Sequence, residues 1–241
     1  MDFQPKERDF LQGYWYYRPK ESFPPPAVFN LDSSYSKSRL CLAGTPDSRD
    51  LSDYRIRKVI TGWADILPKL NSVKVLWVAQ MVSQDLFDAI CSMPNLQGLW
   101  LKHTSIEHIE SVAMSNIQYL SLGSSTKLAS LDPLINTQSL LWLETENLKK
   151  VTDFSALSNL KNLTGLGING SMWTTQRVNS LKPISKLSNL RYLALANTRV
   201  LDKSLKPLHK LEKLQTLHMA KWWPKKEVSD LLQAKPELNL K

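Results

Sequence analysis

Among 241 residues there are only two cysteines, eight glycines and four histidines, and these scarcities remove several functions at once. Cys41 and Cys91 stand in distant segments. There is no Cys-x-x-Cys or His-x-x-x-His, so zinc-ligand spacing is missing. His103, His108, His209 and His218 are scattered and read as surface groups. No Gly-x-Gly-x-x-Gly or Gly-x-x-x-x-Gly-Lys-Ser/Thr cradle for phosphates occurs, and no Gly-x-Ser-x-Gly elbow. No run approaches the roughly 18 apolar residues of a membrane helix. The first residues carry charge and lack the apolar core of a secretory signal. The chain is therefore expected to be no enzyme, with no cofactor, metal or small-molecule substrate. Without a disulfide framework, a reducing, cytoplasmic setting is expected, and both thiols read as small buried hydrophobes.

What is present is a soluble composition, 42% apolar and 22% charged, which argues against disorder. The formal net charge is +9. From residue 181 onward there are 13 Lys and Arg against 5 Asp and Glu, so +8 of it lies in the last quarter of the chain. Such asymmetry hints at an acidic partner.

The organising pattern is clearest at 189–200, NLRYLALANTRV. Apolar residues in the same register recur upstream and downstream. The first inward position of each unit falls at Val73, Leu96, Ile117, Leu140, Leu163, Leu190 and Leu214, at intervals of 23, 21, 23, 23, 27 and 24 residues. Six and three residues ahead of most of them stand further apolar pairs, such as Leu67/Leu70, Ile90/Met93, Leu157/Leu160, Ile184/Leu187 and Leu208/Leu211. That spacing suits a short helix or 3₁₀ turn with one edge in the core. One unit has two readings: Leu134 upstream favours Leu140 as its first inward residue, whereas Leu148 downstream favours Gln138.

The register L-x-x-L-x-L-x-x-N/T-x-V resembles a leucine-rich repeat. The segments KPISKLSNL at 182–190 and KPLHKL at 206–211 resemble the short repeats of the internalin type. The resemblance covers roughly residues 65–220. It implies an α/β solenoid, with a curved parallel sheet on the concave face and short helical or 3₁₀ segments on the convex face. It also implies a protein-binding scaffold, and a bacterial source is expected. In place of an asparagine ladder the chain has Thr104, Ser125, Ser171 and Thr198.

Three regions follow. Residues 1–60 form an aromatic-rich extension and cap, with Phe3, Phe10, Tyr14, Trp15, Tyr16, Tyr17, Phe23, Phe29 and Tyr35 around Pro24, Pro25 and Pro26. Within them Arg39 to Leu42 reads as a degenerate strand, a turn follows at Gly44-Thr45-Pro46-Asp47, and 54–67 has helical spacing. Residues 61–220 hold about seven repeats. Residues 221–241 form a C-terminal cap, since each unit contacts only its neighbours and an uncapped end would expose the core.

Because side chains alternate along a strand, the residues between the inward ones face the concave side. One column reads Val75, Gly98, Tyr119, Trp142, Gly165, Tyr192 and Thr216. The next reads Trp77, Trp100, Ser121, Glu144, Gly167, Ala194 and His218. A third contains Ala79, Lys102, Gly123, Glu146 and Asn169. Trp77, Trp100, Tyr119 and Trp142 thus form an aromatic surface, joined by Tyr192 and rimmed by Lys102, Glu144 and Glu146. Large apolar patches are uncommon on monomers unless they bind something, so these eight residues are the candidate site for a protein partner, the chain acting as a monomer. Coverage by the N-terminal aromatic arm, or packing of the aromatics on one another, are the competing readings. Gly165 and Gly167 would leave a dip beside the ridge. The alternative function uses Arg199, Lys203, Lys206, Lys210, Lys213, Lys221, Lys225 and Lys226 with Trp222 and Trp223 to engage nucleic acid or an anionic membrane.

Overall fold

The computed structural model describes residues 24–43, 53–220 and 222–241, without the side chains of residues 53 and 55–57. The aromatics from Phe3 to Phe23, the turn at 44–47, the side chain of Ile56 and Lys221 lie outside this set.

Nine parallel strands form one sheet in the order β1-β2-β3-β4-β5-β6-β8-β10-β11. They are β1 Arg39–Leu42, β2 Val75–Val82, β3 Gly98–Thr104, β4 Tyr119–Gly123, β5 Trp142–Glu146, β6 Gly165–Asn169, β8 Tyr192–Leu195, β10 Thr216–Met219 and β11 Asn239–Leu240. A second, two-stranded sheet pairs β7 Gln176–Val178 with β9 Thr198–Val200. Sheet order follows chain order, as it must when each unit contributes one strand and returns along the far side. All seven first inward residues are buried, as are the upstream pairs.

The return segments shorten along the array. Helix α1 spans Asp53–Ile66 and runs into a 3₁₀ turn at Leu67–Lys69, while α2 spans Gln84–Cys91. Ser83 caps α2 by accepting from the N–H of Leu86 at 3.3 Å, and Leu86, Phe87, Ile90 and Cys91 are its buried side. Later units use 3₁₀ turns at Glu110–Met114, Asp132–Asn136, Ser155–Asn159, Ile184–Lys186 and Lys206–Lys210. Pro133 and Pro207 stand at the starts of two of these, where the missing N–H costs nothing.

One detail settles an open point of the sequence reading and another corrects it. The strand of the ambiguous unit starts at Trp142, paired with Tyr119 and Gly165, so Leu140 is its first inward residue. Leu148 is buried all the same, because Asn147 adopts a left-handed conformation with φ 58° and turns the chain back to the core. In β2 the register slips between Val78 and Met81, so Ala79 leaves the column assigned to it and Met81 stands opposite His103.

Asparagine stacking also exists, one residue ahead of the first inward position. The side-chain amides of Asn95, Asn116, Asn162 and Asn189 donate to the carbonyls of Asn71, Pro94, Gln138 and Lys161, at 2.8, 3.1, 2.9 and 2.9 Å. Ser139 substitutes in the fourth unit, donating to Ile117 O at 2.9 Å. At strand ends, Thr104 donates to Ser125 at 2.8 Å and Thr198 donates to the carbonyl of Ile168. Ser171 does not join them. Its place opposite Thr198 is taken by Gln176, which accepts from Leu148 N–H at 2.9 Å and donates to Val151 O at 2.8 Å.

The cap consists of α3, Lys225–Ala234, and β11, which adds a short strand to β10. Pro224 stands at the N-cap of the helix. No helix of the described residues is long and apolar enough to cross a membrane.

Gln176→Ala removes buried bonds to Leu148 and Val151 and is expected to cost about 2 kcal/mol or more, whereas Asn116→Ala, at an exposed bond, should cost about 1 kcal/mol or less. Urea unfolding of both variants checks the order. Equal losses would contradict the ladder role of Gln176.

Candidate functional site

The concave columns pair as the alternation argument requires. Val75, Gly98, Tyr119, Trp142, Gly165, Tyr192 and Thr216 align strand by strand. So do Trp77, Trp100, Ser121, Glu144, Gly167 and Ala194, with Ala194 opposite His218. Burial within them is uneven. Trp77 is 2% exposed, Tyr119 7% and Tyr192 3%, while Trp100, Trp142, Lys102, Glu144 and Glu146 are half-buried.

The aromatics contact one another. Tyr119 meets the edge of Trp142 with ring centroids 6.3 Å apart and planes at 63°. Trp142 reaches Tyr192 at 6.1 Å, although β6 lies between their strands. Two strand spacings are about 9.5 Å, so the two rings close over Gly165. The dip expected at that glycine is filled from both sides. Trp77 packs with Cys41, Val75, Ala27 and Trp100, and the Arg39 guanidinium lies 5.2 Å from its ring centroid, a cation–π geometry.

Charge is organised in the third column. Lys102 pairs with Glu146 two strands away, at 2.5 Å. The residue between them is Gly123, where an added Cβ would stand only 3.0 Å from the carbonyl oxygen of Lys102. At Gly167 an added Cβ would meet the Glu144 side chain at 3.1 Å, so Glu144 lies over that glycine. The space between Trp100, Lys102, Ser121, Glu144 and Glu146 is only about 10 Å³, too small for a substrate.

Titratable groups fit this packing. Burial, then the charge of Lys241, holds His218 below its ordinary value. Burial raises the Tyr119 phenol. Among the described residues no cluster of His, Cys, Asp or Glu suits a metal ion.

A second group of residues, only partly anticipated, lies at the edge beyond β6. The offset between equivalent residues is 27 from Gly165 to Tyr192 but 22 from Gln176 to Thr198, so five residues are looped out around Met172 and Trp173. The 27-residue interval in the sequence was the signal. Trp173 is 89% exposed, more than any other large apolar side chain described. Arg199 and Lys203 stand at this edge and line a slot with Trp222 and Trp223. Lys206 and Lys210 belong instead to a convex 3₁₀ turn. The expected basic run is thus divided between two surfaces.

Searches against family models and curated proteins match nothing. Solved structures do match. Internalin C2 of Listeria monocytogenes is 18% identical over 76% of this chain and 84% of its own, with a TM-score of 0.52. The internalin inlF of the same organism is 20% identical over 85% of this chain but only 60% of its own, with a TM-score of 0.57. TLR13, solved with ssRNA13, is 19% identical over 80% of this chain and 27% of its own, at 0.50. The chain has the leucine-rich-repeat fold. Identities this low speak for the fold alone.

Both cysteines of this solenoid are unpaired and buried. Burial raises the Cys41 thiol and pushes the Cys91 thiol up to about 12. The thiolate is the reactive form, so a raised value means reactivity grows only as pH rises far above neutral. A disulfide reagent at about pH 8 should leave Cys91 untouched in the native protein and label both thiols after unfolding. Rapid native labelling of Cys91 would contradict its place on the buried side of α2.

Proposed function

We propose that the protein is a non-enzymatic scaffold that binds a protein partner on its concave face, centred on Trp100 and Trp142. The observation that carries this reading is that these two indoles stay half-exposed on a sheet whose neighbouring aromatics are already packed. Trp142 is held between Tyr119 and Tyr192, and Trp100 borders Trp77. A rigid tryptophan surrounded by ordered groups is the usual form of an interface hot spot, because little conformational freedom is lost on binding. The Lys102–Glu146 pair and Glu144 supply a polar rim of both signs, which orients a partner more than it adds affinity. The absence of reactive motifs in the sequence supports a binding role over catalysis. A bacterial cytoplasm is the proposed setting, on the two isolated cysteines and the short repeats.

The test uses a partner recovered from native lysate on the immobilised chain, followed by calorimetric titration. Trp100→Ala and Trp142→Ala should each cost on the order of 2 kcal/mol, roughly 30-fold in affinity, with the melting transition kept. If both variants fold and bind the partner as the parent does, the reading is wrong.

A further inference from the structure

The slot between the looped-out segment and the C-terminal cap is a different kind of site from the concave face. It encloses about 430 Å³, within the usual range for small ligand pockets. Buried Val200 and Trp223 lie beneath it, and exposed Thr175, Arg199, Lys203 and Trp222 surround it. Trp222 is 57% exposed.

Its electrostatics are one-sided. No carboxylate lines it, and among the described residues no ion pair neutralises Arg199 or Lys203. The carboxylates nearest in sequence are engaged elsewhere. Asp202 accepts from Ser204 N–H at 3.2 Å, and Glu227 accepts from Leu205 N–H at 2.7 Å. Trp223 is 8% exposed, and its indole N–H is buried with no acceptor among the described residues. Among the described residues the slot therefore holds two cations outside any ion pair and a donor without an acceptor, beside apolar surface, while the surrounding quarter of the chain carries +8.

The rim is also held in place. Gly170 begins the loop where an added Cβ would stand 2.3 Å from Asn197 O and 2.5 Å from Thr174 O, so no other residue fits. Asn197, in the left-handed region at φ 48°, donates to Ser171 O at 2.6 Å and accepts from Thr175 Oγ1 at 3.0 Å. Lys203 is left-handed too, at φ 51°. Ordinary residues held in that conformation cost free energy that the fold must supply. The result presents Trp173 and Trp222 on fixed supports.

We propose that this slot binds an acidic peptide segment of a protein partner, with an apolar anchor side chain against Val200 and Trp223 and carboxylates on Arg199 and Lys203. Carboxylates pair with arginine in a fixed two-pronged geometry, and an aliphatic or aromatic anchor fills the apolar lining. Single-stranded nucleic acid fits less well. It needs a cationic track with successive stacking platforms, and the centre of the neighbouring sheet instead carries Glu144 and Glu146. The site stands apart from the concave ridge and does not depend on the reading given for it.

The probe is a displayed library of random peptides of about a dozen residues, selected on the immobilised full chain. The highest-enriched sequence is then measured by fluorescence anisotropy. Enrichment of Asp and Glu around one aromatic or leucine is expected. Its affinity should fall about ten-fold or more for Arg199→Ala/Lys203→Ala and for Trp222→Ala, fall as salt rises, and stay unchanged for Trp100→Ala. A matched melting curve shows that each variant folds, and Met172→Ser/Trp173→Ser probes the loop without touching the slot lining. Enriched peptides with no acidic bias, or undiminished binding to the double variant, would overturn the proposal. So would displacement of the peptide by a thymidine oligonucleotide at lower concentration than by free peptide, or self-association of the chain that Trp222→Ala abolishes. Loss of peptide binding in Trp100→Ala would move the site to the concave face. Failure of the concave ridge to bind a protein leaves the slot measurement intact.

Discussion

Everything in this molecule depends on parallel strands pairing residue for equivalent residue, one unit at a time. That register stacks like on like. Leu76, Leu99, Leu120, Leu143, Leu166, Leu193 and Leu217 form one continuous buried column. No unit can bury its own leucines, so stability is a property of neighbours. Polar groups obey the same rule. The asparagines ahead of the strands each bond a carbonyl one unit back, linking neighbouring units at the exposed turns into the sheet.

The same constraint governs the concave surface. At most two aromatic residues stand side by side before a small one follows, as Trp77 and Trp100 precede Ser121 and Tyr119 and Trp142 precede Gly165. Trp142 and Tyr192 meet above Gly165, and Lys102 reaches Glu146 over Gly123. The glycines permit those reaches. The face is consequently a packed relief with two tryptophans partly proud of it. Departures from the repeat lie at its ends and in one loop, where five looped-out residues and the cap bring cations and indoles together.

Much of this was legible in the sequence. The seven inward leucine-type positions, the alternation of the strands and the two main outward columns follow from spacing alone, and they match the strand pairing. The parallel solenoid resembling internalin repeats is the fold observed. Exposure was not legible, because it depends on what leans over a residue from adjacent strands. Trp77 occupies an outward position and is nevertheless buried. The fourth unit was ambiguous because a left-handed Asn147 turns Leu148 inward off the regular spacing, and propensity does not announce a single positive φ. Ser171 looked like a ladder residue by count. The insertion displaced it, and Gln176 recovered the bond from a longer arm.

The claim that the available aromatics are few and specific can be measured without any partner. Hydroxyl-radical footprinting of the native chain, read tryptophan by tryptophan, compares them directly. Trp173 and Trp222 should oxidise fastest, Trp100 and Trp142 at intermediate rates, and Trp63, Trp77 and Trp223 slowest. Oxidation of Trp77 as fast as Trp173 would contradict the packed concave face on which the account rests.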